Sequence, residues 1–316
     1  MEFRNITEEE FRIFSLNHEY TSFFQTVETG ILREKNGWKK HFVGIIKDNK
    51  VIAATLLVSI KSFLSKNKFY APRGFLIDYN DYELLTFFTK EIKKYVKKNN
   101  GFYIKIDPYV AYKQRDIDGI LIKGGFNNQP IIDNLTKLNY KHYGFTLYQD
   151  KTEQVRWMFV LNLENKTEEQ ILKEMKQSTR TRINKTLKYN YRIKELGEND
   201  LEHFHEILKS TGERRNFGLQ SLKYFKDFYN IYSKNNMVKF LLIQIDLDEY
   251  LKILNSNIEE DNKKKEYLHD KLKNNDSKNT KMEINNVEKD IEDLKQKIEE
   301  AEKFKKEYGN ILDLST

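Results

Sequence analysis

Apolar residues follow two different rhythms along this chain, and the change of rhythm divides it. Up to about residue 245 they fall in short alternating runs and short amphipathic stretches rich in Phe, Tyr, Ile and Leu. Beyond that they settle on a heptad seam. Leu247, Leu254 and Leu268 recur seven or fourteen apart, with Leu251, Ile258 and Leu272 on the neighbouring seam position. After the polar stretch KNNDSKNTK the pattern resumes with Ile284, Val287, Ile291, Leu294, Ile298 and Ala301. Alternating steps of three and four mark helices that present one narrow seam to each other. A polar turn between them predicts an antiparallel hairpin arm, each helix reaching roughly 35–40 Å at 1.5 Å per residue.

The first half alternates helices and strands. ITEEEFRIFSLN reads as a short helix whose early acidic residues suit the helix dipole. HFVGIIKDNKVIAATLLVSI reads as two strands around an Asp48-Asn49 turn, and FYAPRGFLIDY as a strand interrupted by Pro72 and Gly74. YELLTFFTKEIKKYVKK is an amphipathic helix, followed by a buried strand, GFYIKIDP, that ends at Pro108. Further on, VRWMFVLNL reads as a strand, and Thr167 with Gln170 three later as a capping box opening a helix. The stretch after it is helical in pattern, and YRIKEL is a strand.

FRNITEEEFRIF near the start and IKELGENDLEHF at 193–204 share one pattern: a strand end, a turn, an acidic helix start and an aromatic at the same offset. KHFVGII has a strand-like counterpart in MVKFLLI. The order predicts two copies of one α/β unit. In the first copy a strand turns at Asp48-Asn49 and returns. In the second, the strand at 238–245 runs into the arm, so the arm stands where a hairpin turn would be. The chain then reaches only GNILDLST. The expectation is a strand that has lost its return partner and exposes an edge open to self-association.

Composition adds constraints. With no cysteine there is no disulfide, thiol nucleophile or Cys-ligated zinc, which fits a reducing cytosol. The amino terminus lacks the basic and apolar regions of a signal peptide, and no apolar run approaches the roughly 20 residues that span a bilayer. The expected location is cytoplasmic, with room for peripheral contact at the inner face of the membrane. The net charge of +7 allows anionic partners without demanding them. From Lys173 to Lys194, however, eight basic residues face a single acidic one, Glu174.

That basic segment is the first candidate site. Arg180, Arg182, Lys185 and Lys188, with Asn184 and Tyr189 between them, suit phosphate or carboxylate contacts. The competing reading is a solvated helix face. Arg73 stands between Pro72 and Gly74, where the strand break aims a cation out of an apolar stretch, or holds a satisfied arginine at a bulge. Asp107 stands at a strand's carboxyl end, the edge where open α/β sheets bind ligands, or caps a turn there. His203 and His205 are two apart on a helix and make a poor metal pair, and Asp116 and Asp118 lack the closing carboxylate of a calcium loop. Phosphate-cradling glycine loops and a nucleophile elbow are absent from the sequence.

Taken together, HFVGIIKDNKVIAATLL, FYAPRGFLIDY, YIKIDPYVAYK, VRWMFVLNLENKTEEQILKEM, the basic segment and DEYLKIL resemble the Fem family of peptidyltransferases, in its FemA/FemB branch. The resemblance implies an α/β (α+β) fold of two acetyltransferase-like (GNAT) lobes, the second incomplete, with an inserted antiparallel coiled-coil hairpin. Residues 1–150 would form the first lobe, 151–246 the second, 247–309 the arm, and 310–316 the start of the rest of lobe two. It implies an aminoacyltransferase that moves glycine, alanine or serine from charged tRNA to the stem-peptide amine of lipid II or a UDP-linked peptidoglycan precursor, with no metal or redox cofactor. By position, Arg180 matches the family's precursor-binding arginine, and Arg33, eight residues after Gln25, falls where relatives carry a precursor-binding lysine. Arg73 and Asp107 lie in recurring segments, and Lys185 and Lys188 extend the basic helix. Relatives continue for about another hundred residues past the arm, so a fragment, a truncated reading frame or one piece of a split protein, of weak or no activity alone, is expected, able to pair with homologous Fem proteins. The alternative class is a non-catalytic module that holds RNA or a protein through the basic helix and the arm.

Overall fold

A computed structural model of the chain describes residues 1–116, 118–145, 154–274 and 277–315. It divides into two compact units, Met1–Val160 and Leu161–Thr316. The expected lobe boundary at 150/151 and the tip of the arm's turn at 275–276 lie outside the described residues.

The first unit runs β1 (Glu2–Asn5), α1 (Glu8–Leu16), α2 (Val27–Lys35), β2 (Lys39–Lys47), β3 (Lys50–Lys61), β4 (Asn67–Ala71), α3 (Tyr82–Lys98), β5 (Gly101–Ile106) and α4 (Gln129–Lys137). The strands form one sheet in that order, antiparallel except for β4 and β5, which run parallel across α3. Asp48 and Asn49 both take positive φ, the geometry a two-residue hairpin needs to match the strand twist. Residues 53–59 of β3 are buried without a break, because helices cover both faces of the sheet. Val43, Ile45 and Leu57 pack with Phe88 and Ile92 of α3, whereas Phe42, Leu56 and Val58 pack with Phe11 of α1 and Val27 of α2. The strand expected to be buried at 101–106 is instead the edge strand β5. With a neighbour on one side only, it leaves Phe102 and Tyr103 exposed.

The second unit runs α5 (Glu168–Glu174), α6 (Gln177–Leu187), β6 (Arg192–Leu196), α7 (Leu201–Arg215), α8 (Leu222–Tyr232), β7 (Phe240–Asp246), α9 (Leu247–Asn274), α10 (Lys278–Tyr308) and β8 (Ile311–Ser315). Its core joins Leu196, Leu201, Phe204, Phe240 and Leu242. The internal repeat is visible in detail. A strand, two helices and a strand, then a return strand, give the ladder β1-β2-β3 in one unit and β6-β7-β8 in the other. The first turn of each copy is locked alike. Glu10 accepts from Thr7 N at 2.8 Å and pairs with Arg4 at 2.6 Å. Asp200 accepts from Gly197 N at 2.9 Å and pairs with Lys194 at 3.1 Å. Ile6 and Phe11 are buried in one copy, Leu196 and Leu201 at the same offsets in the other.

Two further expectations need correction. The strand at 238–245 has not lost its partner, because the last residues return as β8 and pair antiparallel with β7. The arm's base forces this closure. Asn310 O accepts from Leu247 N at 2.8 Å, its Oδ1 from Asp248 N at 2.9 Å, and its Nδ2 donates to Asp246 at 3.0 Å. The arm leaves and re-enters the sheet at one clasp, so β7 and β8 are brought together. Along the arm, Leu254, Leu268, Ile284, Val287, Ile291 and Leu294 are buried on the predicted seam. The other correction concerns 155–163, expected as a strand. It pairs with nothing in a ladder among the described residues, and Phe159 and Val160 are exposed, since an apolar run alone supplies no neighbouring strand.

His41 on β2 is buried between the Tyr95 hydroxyl at 3.0 Å and Ser59 Oγ at 2.9 Å. Burial holds its pKa down at about 4, against 6.5 in the open chain. Between those values the unfolded chain takes up a proton that the folded chain excludes, so acid destabilises the first unit there. Denaturation midpoints are expected to be flat above about pH 6.5 and to fall between about 6.5 and 4, a loss of about 3 kcal/mol in full. His41→Phe should flatten that slope at the cost of a lower midpoint.

Candidate active-site surface

The ladder between β3 and β4 holds only from Val58–Tyr70 to Lys61–Asn67; contact resumes at the isolated pair Ala54–Leu76. Between these points the chain bulges away through Pro72, Arg73 and Gly74, and Leu56 is left facing a gap. Gln25 fills it. Its Oε1 accepts from Leu56 N at 2.7 Å, and its Nε2 donates to Leu56 O at 3.2 Å and Pro72 O at 2.7 Å. A fully buried carboxamide thus does the work of a missing strand residue.

The bulge is a tight turn with Pro second, and Gly74 N donates to Ala71 O at 3.0 Å. Its third residue, Arg73, has φ 63°, a region that such turns usually give to glycine. Gly74 follows with φ 76°, and a Cβ there would stand 2.7 Å from Pro108 Cα. Arg73 is held in place by Asp107, whose Oδ1 accepts from Arg73 N at 2.6 Å. Asp107 Oδ2 accepts from the Tyr70 hydroxyl at 2.8 Å and from Gln154 N at 3.0 Å. Burial raises the Asp107 pKa, opposed by these hydrogen bonds and by the Arg73 charge. Tyr70 is raised far more, first by burial and then by the adjacent Asp107, so its hydroxyl stays protonated and donates.

Arg73 therefore does not aim outward. It is 8% exposed, its Nη1 donates to Val155 O at 3.0 Å, and the guanidinium lies 5.1 Å from the Tyr109 ring and 5.8 Å from that of Phe24. Arg33, in the last turn of α2, lies 5.8 Å from the Trp38 ring, with the Lys68 ammonium 5.7 Å from the same ring. The Arg33 charge also acts on Tyr70. Lys68 and Tyr70 are two apart on β4 and share a face. Three of the residues singled out from sequence, Arg33, Arg73 and Asp107, thus belong to one cluster of the first unit, partly buried and partly at its surface. Tyr70 joins them there, as do Gln25, Trp38 and Lys68. Sequence reasoning missed these four roles. The available signal was Tyr70 and Gln25 lying so near the Pro-Arg-Gly break and Arg33.

In the second unit Arg180, Lys185 and Lys188 sit on and just after α6. Arg180 donates through Nη1 to Lys173 O at 3.0 Å and to Met175 O, which braces the corner between α5 and α6. Arg182 and Lys185 line an open surface depression with Thr186, Tyr189 and Tyr191. Tyr189 packs edge-on against Tyr250 at 5.3 Å.

The model described as the FemAB family matches residues 6–316. The chain belongs to the FemAB family. Aminoacyltransferase FemA of Staphylococcus epidermidis is 34% identical over 319 residues, aligning 100% of this chain with 75% of that protein. Aminoacyltransferase FemA of Staphylococcus aureus strain MRSA252 is 33% identical over 317 residues, with the same coverage. A crystal structure of FemX superposes with a TM-score of 0.71 at 22% identity, covering 99% of this chain and 76% of that one, a likeness of fold. By its relatives, this FemAB protein is an enzyme of the aminoacyltransferase class.

Asp107 joins three donors at one point, so its removal should cost most. Asp107→Ala is expected to destabilise the first unit by about 3 kcal/mol, and Tyr70→Phe by about 1 kcal/mol. Chemical denaturation of both variants checks the order.

Proposed function

We propose that this FemAB protein joins an amino acid carried by tRNA to the stem-peptide amine of a peptidoglycan precursor, as a step in building the interpeptide bridge. The observation that carries this reading is the match to aminoacyltransferases along the full 316-residue chain. The chemistry is aminolysis. A neutral amine attacks the aminoacyl ester and forms the new C–N bond; the ester C–O bond then breaks, and the tRNA 3′ oxygen leaves with the proton that the amine gives up. Fixed positive and N–H groups stabilise the oxyanion formed between these events.

Arg33 and Lys68 on the first unit, and Arg182, Lys185 and Lys188 on the second, supply cations for the phosphates of precursor and tRNA. Tyr70 offers a hydroxyl that stays protonated. Arg73 and Asp107 act as positioning residues, because their polar groups are taken up in holding the turn. Arg180 combines two roles in this reading, bracing the α5–α6 corner and adding to the basic surface. No helix among the described residues is long and apolar enough to cross a membrane.

Incubation with charged tRNA and either lipid II or the UDP-linked precursor should yield the amide-extended precursor. Precursor binding without amide formation would favour the non-catalytic alternative. Because Arg180 also braces a corner, charge reversal is better placed at exposed Lys185. Lys185→Glu is expected to weaken binding of the phosphate-bearing substrate about tenfold with the fold intact by circular dichroism.

A further inference from the structure

The turn from β3 to β4 presents an apolar pair to solvent: Phe63 is 75% exposed and Leu64 77%. The pair is held there by structure. Ser62 N donates to Lys66 O at 2.8 Å, and Lys66 N to Phe63 O at 3.0 Å. Asn100 Nδ2, from the turn after α3, donates to Ser65 O at 3.0 Å. Leu64 and Ser65 both adopt left-handed backbone, φ 48° and 59°, which is unfavourable for residues with a Cβ. A turn that spends hydrogen bonds and strained backbone on keeping two apolar side chains out of the core suits a contact made outside this chain.

The charges in the two segments that build the tip are of one sign. Lys61 and Lys66 flank it in the turn, and Lys97 and Lys98 close α3 beside it; all four are exposed. Asn67 ties these two segments together, its N donating to Asn100 O and its Nδ2 to Asn99 O, each at 2.9 Å. No acidic residue occurs in 61–77 or in 92–106. A small apolar wedge ringed by lysines fits the boundary between lipid headgroups and acyl chains, with the lysines drawn to anionic headgroups. An RNA surface would use the lysines and could stack a base on Phe63, but would leave the equally exposed Leu64 without a purpose.

We propose that the Phe63–Leu64 tip of the first unit is a docking point for an anionic membrane surface. The tip rests on the reading above insofar as it brings a transferase to a lipid-linked acceptor. The test is cosedimentation of the whole chain with phosphatidylcholine vesicles, with and without phosphatidylglycerol. Wild type should bind the anionic vesicles, less at high salt, and Phe63→Ser/Leu64→Ser should lower the affinity about tenfold or more. Lys61→Glu/Lys66→Glu should also lower it. Because the chain has no cysteine, Leu64→Cys carries an environment-sensitive fluorophore at one site, and its emission should shift to the blue on vesicle addition. Unchanged vesicle affinity in the double serine variant would overturn the proposal. So would a label that stays in water while the chain is bound, or a lysine variant that loses charged tRNA and keeps vesicles. Transfer assayed without vesicles, to detergent-solubilised lipid II and to the water-soluble UDP-linked acceptor, separates the two readings. Whichever transfer wild type shows should survive in the double serine variant, and the absence of both in wild type alongside tip-dependent vesicle binding would defeat the transferase reading alone.

Discussion

Leu56 has backbone groups that no strand satisfies, and the side chain of Gln25 takes both while also holding Pro72 O. Much of the first unit's surface chemistry follows from that substitution. A sheet interior cannot leave an N–H and a C=O unpaired without a penalty of a few kcal/mol. With Gln25 in place, the chain after β4 is free to depart from the ladder at Ala71 and rejoin it at Leu76. The departure creates the Pro-Arg-Gly turn, and that turn brings Arg73 N onto the Asp107 carboxylate at the end of β5. Asp107 in turn collects Tyr70 and Gln154 N. One glutamine thus stands behind a network of four further groups, two of them with pKa values raised chiefly by burial.

The second unit answers a similar need differently. Its counterpart of the β2–β3 hairpin is opened by two long helices, and the opening is closed by Asn310, which bonds Leu247 N, Asp248 N and Asp246. An arm of this length can be tolerated because its heptad seam is satisfied internally and its two ends meet at one clasp. The sheet order is then the same as in the first unit, and the paired roles of Glu10 and Asp200 show how closely the two copies keep their local chemistry.

Elements with a strong local signal were legible in advance. The helix after Thr7, the capping box at Thr167, the Asp48-Asn49 hairpin and the arm's seam all follow from residue type and spacing, and each takes the predicted form. The strand at 155–163 was misread because β-rich composition states a preference but provides no partner. The return strand β8 was missed because five residues of ILDLS carry no sign of the clasp that seats them. For the site, Arg33, Arg73 and Asp107 drew notice as charges at breaks and strand ends. Gln25 and Tyr70 did not, because an amide and a phenol look ordinary until their partners are known.

What the sequence determined by itself was those elements with a strong local signal, their repetition and membership in a family of aminoacyltransferases. These rest on periodicity, capping and residue order, which act over a few positions or accumulate along the chain. Only the tertiary structure decided that Arg73 is turned inward, that Arg180 braces a corner, and that Phe63 and Leu64 are held out among lysines. Those outcomes depend on which distant carbonyl, carboxylate or ring lies within about 3 to 6 Å of a side chain. Spacing along the chain does not encode that distance; the folding of the sheet around Gln25 does.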